Sequence, residues 1–149
     1  MPQTTTTVIQ DARARDTVGI FAEMADAAAT EVVSGDAADA ALAFLTEMSP
    51  DLRGAAILDG EGEVLAASGE EPGRWAEDAA ALFALADGVG EGPVEQVHVA
   101  TEQGEVFAIR DAGLAAVAVT NRFALASLLF FDLRATLRDL ARGSAIGEA

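Results

Sequence analysis

The sequence predicts an α+β sandwich: an antiparallel sheet with helices on both faces, in the element order α-β-β-α-β-β-β-α. Three observations carry this. Residues 54–69 set two short apolar runs around the acidic, glycine-rich turn Asp59-Gly60-Glu61-Gly62, which reads as a β-hairpin. Residues 55–58 and 114–119 contain no polar position, so both faces of those strands must be covered; a strand with one wet face alternates instead. The strands are entered and left by tight turns such as Glu102-Gln103-Gly104 and Asp111-Ala112-Gly113, not by βαβ crossovers.

Residues 1–10, with their run of Thr4 to Thr7, read as a disordered tail. From 16 to 33, Ile20, Phe21, Met24, Ala28 and Val32 recur at helical spacing. After Ser34-Gly35, Asp36 is placed to cap a second helix with the apolar stripe Ala38, Ala41, Leu42, Leu45 and Met48, which Pro50 ends. The hairpin follows. Pro72 opens a helix to about Val89, stopped by residues 88–92. Strands come next at 94–101, 105–110 and 114–119. A last helix opens near Thr120 or Asn121 and runs to about Arg142, with Gly143 as its stop. The chain divides into a tail and accessory helix (1–33), a main domain (34–143) and a short C-terminal tail (144–149).

Strand character orders the sheet. The two fully apolar strands belong in the middle. Residues 94–101 put Val97 and Val99 on one face with Gln96 and His98 on the other, which marks an edge. Residues 105–110 suit an intermediate place, and the short 64–67 the opposite edge.

Composition narrows the function. The 149 residues suffice for one domain, and 51% hydrophobic content argues against wholesale disorder. There are 25 acidic residues against 9 basic, all Arg, for a net charge of −16. Such a chain repels nucleic acid and anionic lipid, whose binding needs Lys or Arg on phosphates. Cysteine is absent, which removes disulfides and thiol chemistry. No apolar run reaches the ~18–20 residues of a membrane span, and the first residues lack a secretory apolar core. A cytoplasmic location is expected.

Chemistry is mostly missing. With no Lys there is no P-loop. The Gly88-Val89-Gly90-Glu91-Gly92 run follows a helix and precedes a strand, the reverse of a dinucleotide site. His98 is the single histidine, and no nucleophile elbow accompanies it. Asp59, Glu61 and Glu63 alternate like calcium ligands, but Val64 stands where that loop needs Gly. Neither catalytic residues nor a cofactor or metal site is expected.

Surfaces remain. On the helix opened by Pro72, Trp75, Ala79, Leu82, Phe83, Ala86 and Val89 share one face and should cover the sheet. The far side carries Ala76, Ala80, Ala81 and Ala84, diluted by Glu77 and Asp87. A helix apolar or small all round is usually buried all round, although Ala is also simply a good helix former. A homodimer interface is expected at Ala76, Ala80 and Ala84 with Gln96 and His98 on the edge strand. Glu77 and Ala81 are expected to face a partner. In the last helix Ala126, Leu129, Phe130, Leu133, Leu137 and Leu140 form the core stripe. Leu125, Leu128 and Phe131 project elsewhere, to be covered by the helix within 16–33 or by a partner. Arg134, Arg138 and Arg142 suit the helix dipole, or else make a partner-binding stripe.

The element order, with the 54–66 hairpin, the 97–107 strand-turn-strand, the 114–119 strand and the long last helix, resembles the roadblock (dynein light-chain type) domain family, over residues 36–142. The resemblance implies a profilin-like sheet of five antiparallel strands with the middle helix on one face and the first and last on the other. It also implies a homodimer joined through the middle helix and the following edge strand, and, in bacterial members, a small Ras-like GTPase as partner, with no catalytic residues in the domain itself. Two other readings stay open: a small-molecule sensor, and a structural subunit of a larger signalling assembly.

Overall fold

The computed structural model describes residues 5–9 and 33–147. Its strands and helices are β1 (Thr5–Ile9), α1 (Gly35–Met48), β2 (Leu52–Leu58), β3 (Val64–Ala67), α2 (Pro72–Val89), β4 (Gln96–Ala100), β5 (Glu105–Asp111), β6 (Leu114–Thr120) and α3 (Ala126–Gly147). The sheet runs β1-β4-β5-β6-β2-β3, every neighbouring pair antiparallel. The five expected strands are all there, with the apolar β6 and β2 adjacent in the middle and β3 at one edge.

Helices cover both faces. Alternate residues of the central strands supply the two cores: Ala55, Ile57, Phe107, Ile109, Ala116 and Ala118 pack under α1 and α3, while Ala56, Leu58, Val97, Ala108 and Val117 pack under α2. This alternation is why a strand with no polar position is needed: each residue of Ala55–Leu58 is buried, on one side or the other. Among the described residues the middle helix lies alone on its face, as expected.

Several local expectations are corrected. Residues 5–9 are not tail but a sixth strand, paired along β4 from Thr5↔Ala100 to Ile9↔Gln96, so β4 is not the outermost strand. Ser34, not Asp36, caps α1, its Oγ accepting from the Ala37 amide at 3.1 Å. Met48 is 55% exposed in the last position of α1, off the stripe that Ala38, Leu42 and Leu45 bury. The strand expected at 94–101 shortens to β4 because Val94 is held by the Asp87 side chain instead of the sheet. The last helix starts at Ala126, later than Thr120 or Asn121, since Thr120 still pairs with Glu105 in β5 and with Leu52 in β2. It passes straight through Gly143 to Gly147, into the stretch expected as a tail. The helix expected within 16–33 lies outside the described residues, apart from Val33, which packs against the α1/α3 core.

Candidate interaction surface on α2 and the β4 edge

α2 turns Ala79, Phe83 and Ala86 into the core, with Trp75, Ala76 and Leu82 half-buried beside them. Its first turn is fixed by Trp75, whose Nε1 donates to the Ser68 carbonyl at 3.0 Å. The ring lies over Gly54, where a Cβ would stand 3.3 Å from it; glycine is what lets the indole settle on the start of β2. The last turn is fixed by a salt bridge. Arg110 reaches both Asp87 oxygens, at 2.9 and 3.1 Å, and donates to the Val94 carbonyl at 3.1 Å. Its guanidinium also lies 4.1 Å from the centre of the Phe83 ring. Burial by itself raises the Asp87 pKa, but hydrogen bonds from Arg110 and the Val94 amide, with the Arg110 charge, outweigh it and hold the carboxyl below the ordinary 3.8.

What α2 turns outward is largely small and apolar, with the exposed charges Arg74, Glu77 and Asp78 among it. Ala80, Ala81 and Ala84 are exposed, along with Glu77 and Gly88. Ala76 is half-buried and closer to the core side. Leu85 is 70% and Val89 72% exposed, the largest apolar groups on this side. Val89 had been expected in the core. Leu85 carried no expectation, although it follows Ala81 by four positions and extends the same stripe. The helical projection that found Ala84 could have found it.

The two edge-strand residues behave differently from the expectation. Gln96 and His98 face the α1/α3 side, and the backbone of both is opposite β1, Gln96 at Ile9 and His98 at Thr7. The His98 ring stacks on Phe107 at 4.4 Å and 10°, with Phe130 edge-on to Phe107 at 5.3 Å. Its Nε2 is hydrogen-bonded to Glu105 Oε1 at 2.8 Å, and Glu105 Oε2 accepts from the Ala124 amide at 2.8 Å. Glu105 is only 8% exposed. The histidine therefore ties β4 to β5 and, through Glu105, to the start of α3. That is a structural task.

The arginines of α3 also have intramolecular partners. Arg134 and Arg138 donate through Nε to the two oxygens of Asp111, at 3.0 and 3.1 Å, and Arg142 pairs with Asp139. All three stand on the sheet face opposite α2. Asp59, once weighed as a calcium ligand, accepts from the amides of Glu61 and Glu63 at 2.8 and 3.0 Å and so shapes the β2–β3 turn. A cavity of about 30 Å³ lined by Val33, Asp59, Leu65, Ala112, Gly113, Leu114 and Ala141 has room for a water, far short of the ~300 Å³ at which ligand pockets begin. Among the described residues no three acidic or histidine side chains are grouped to hold a metal ion, and no helix is long and apolar enough to cross a membrane.

No protein-family model and no curated protein sequence matches the chain. Solved structures do. A roadblock/LC7 domain from Streptomyces avermitilis aligns with a TM-score of 0.59 and 22% identity, over 68% of this chain and 92% of that one. MglB from Myxococcus xanthus aligns at 0.55 and 14%, over 72% and 87%. A chain of a LokiProfilin2–rabbit actin complex aligns at 0.52 and 12%, over 70% and 95%. The chain thus has the roadblock/LC7 fold, within the wider profilin-like architecture.

Proposed function

We propose that this protein is a non-catalytic, cytoplasmic homodimeric adaptor that binds and regulates a small Ras-like GTPase. The observation that carries the reading is the outward face of α2. Ala80, Ala81, Ala84, Leu85 and Val89 are exposed together on a helix whose opposite face is fully used by the sheet. Small side chains let a second helix approach closely, and Leu85 and Val89 supply area worth removing from water. The likeness of fold to a roadblock/LC7 domain and to MglB supports the GTPase as partner, through the resemblance already described. The dimer face is centred on Ala80 and Ala84, with Ala76 at its margin, and Glu77 and Ala81 face the partner.

The experiment is sedimentation equilibrium of the wild type and of Ala84→Glu, followed by pull-down and single-turnover GTP hydrolysis with the small GTPases of the same genome. An unpaired charge placed in a buried contact costs about 3 kcal/mol or more, so the variant should dimerise at least ~100-fold more weakly while melting like the wild type. The protein alone should hydrolyse no GTP, since a chain without Lys or a P-loop lacks the groups that position a phosphoryl transfer. With the GTPase, Arg134→Ala and Arg138→Ala should leave any stimulation intact, because both side chains are committed to Asp111 on the far face. A monomeric wild type, or failure to bind every small GTPase tried, would sink the reading.

A further inference from the structure

A sheet edge presents a row of unpaired N–H and C=O groups, and proteins usually blunt such edges with charges, prolines or bulges. β4 has none of these. Gln96-Val97-His98-Val99-Ala100 carries no Asp, Glu, Lys, Arg or Pro, and its His98 is turned to Glu105 on the α1/α3 face, in a chain whose net charge is −16. What covers this edge is β1, whose five residues Thr5, Thr6, Thr7, Val8 and Ile9 are all β-branched and uncharged. Among the described residues β1 has β4 as its single strand neighbour. β4 is held from elsewhere as well: by five paired positions along β5, by Val97 in the core under α2, and by the His98–Glu105 hydrogen bond. The edge therefore keeps its form when β1 leaves it. Gains from backbone hydrogen bonds and the entropy of ordering the residues that make them are of similar size, so a five-residue strand with one neighbour is held close to balance.

The geometry points to the outer edge of β4 as a strand-acceptor site, with Thr5–Ile9 as its exchangeable resident and the β4 edge of a second copy as the competing occupant. The choice of a second copy rests on the homodimer reading above and on two features of the edge. The site accepts a strand antiparallel, as β1 shows, and an antiparallel pair of identical strands is what a two-fold axis produces. α2 leads directly into β4, so its exposed Leu85 and Val89 and the half-buried Val99 lie along the surface that such a pairing would close. β1 in place thus restrains dimerisation, and its release permits it.

The test keeps the full chain and replaces two adjacent residues, Thr6→Pro with Thr7→Pro. Successive N–H groups in a strand point to opposite sides, so one of the two prolines removes a donor aimed at β4. Sedimentation equilibrium should show dimer affinity raised at least tenfold over the wild type. A fluorescein-labelled peptide of residues 3–10 should bind the double variant at least tenfold more tightly than the wild type, and an excess of it should reverse the gain in dimer. In the wild type, amide exchange should be faster in β1 than in β5 and β6, independently of any variant. Peptide binding without a dimer would keep the acceptor site but overturn the second copy as its occupant, and with it the homodimer. No peptide binding, a weaker dimer in the double variant, or β1 amides as protected as those of β6 would overturn the acceptor site itself.

Discussion

Asp87 shows how one carboxylate can hold a surface in place without taking part in it. It receives both arms of Arg110 and the amide of Val94, and so joins the last turn of α2, the connector and β5. Replacing it with Asn leaves the Arg110 guanidinium half-partnered beside Phe83. For a charge-assisted pair about a third exposed, the loss at neutral pH should be about 1–2 kcal/mol. The pH dependence fixes the assignment. Because the folded-state pKa lies below 3.8, the contribution is complete above that value and lost as pH falls through the lower folded one. Urea unfolding of the wild type and Asp87→Asn should therefore differ at pH 7 and converge well below pH 4. A constant difference down to pH 2 would mean that packing, not ionisation, does the holding.

At the scale of elements, legibility followed burial. β2 and β6 were readable because a central strand between two helix layers must be apolar throughout, and Ala55–Leu58 is. The faces of α2 and α3 were readable from the spacing of Phe83, Leu133 and Leu137. β1 was not, because a strand with one neighbour needs no apolar alternation, and its threonines look like solvent-facing chain; their β-branching was the available signal. Nor was the start of α3, which is set by pairing at a distance: Thr120 finishes β6, Asn121 donates to the Asp51 carbonyl, and the Ala124 amide is claimed by Glu105. The outward side of α2 was legible, the surroundings of His98 were not. Ala80 and Ala84 are exposed, as the helical projection has them, but the tie between His98 and Glu105 was hidden because polarity at a strand edge does not reveal a buried carboxylate seven residues on. The β4–β5 turn, where it meets the end of β6, yields a test of such distant constraints. A Cβ at Gly104 would stand 2.5 Å from the Thr120 carbonyl oxygen, whereas one at Gly143 meets nothing within 4 Å. Gly104→Ala should cost about 1–3 kcal/mol by forcing the strands apart, and Gly143→Ala should gain up to about 1 kcal/mol in helix propensity. Thermal melts of the two variants should move in opposite directions.

Considered as a whole molecule, the protein is a strongly acidic body on which the proposed contact seam along α2 and β4 is sparsely charged. Two copies at −16 each repel at a distance, while the α2 face offers few groups for ion pairing, Arg74, Glu77 and Asp78, the first and last of which already pair with each other, and β4 has no Asp, Glu, Lys or Arg. Affinity between copies must then come from apolar burial and backbone pairing, set against a general electrostatic cost. Salt acts on these terms separately. Raising it from about 0.01 M to about 0.1 M shortens the Debye length from ~30 Å to ~10 Å, which screens the body charge and leaves the seam unaffected. Dimer affinity should rise by roughly tenfold over that range, measured by sedimentation equilibrium at constant pH. Affinity falling with salt would mean that oppositely charged groups meet in the contact. The Arg-bearing outer side of α3, with the exposed Leu125, Leu128 and Phe131, would then become the face to test, and the seam along α2 and β4 would have to be given up.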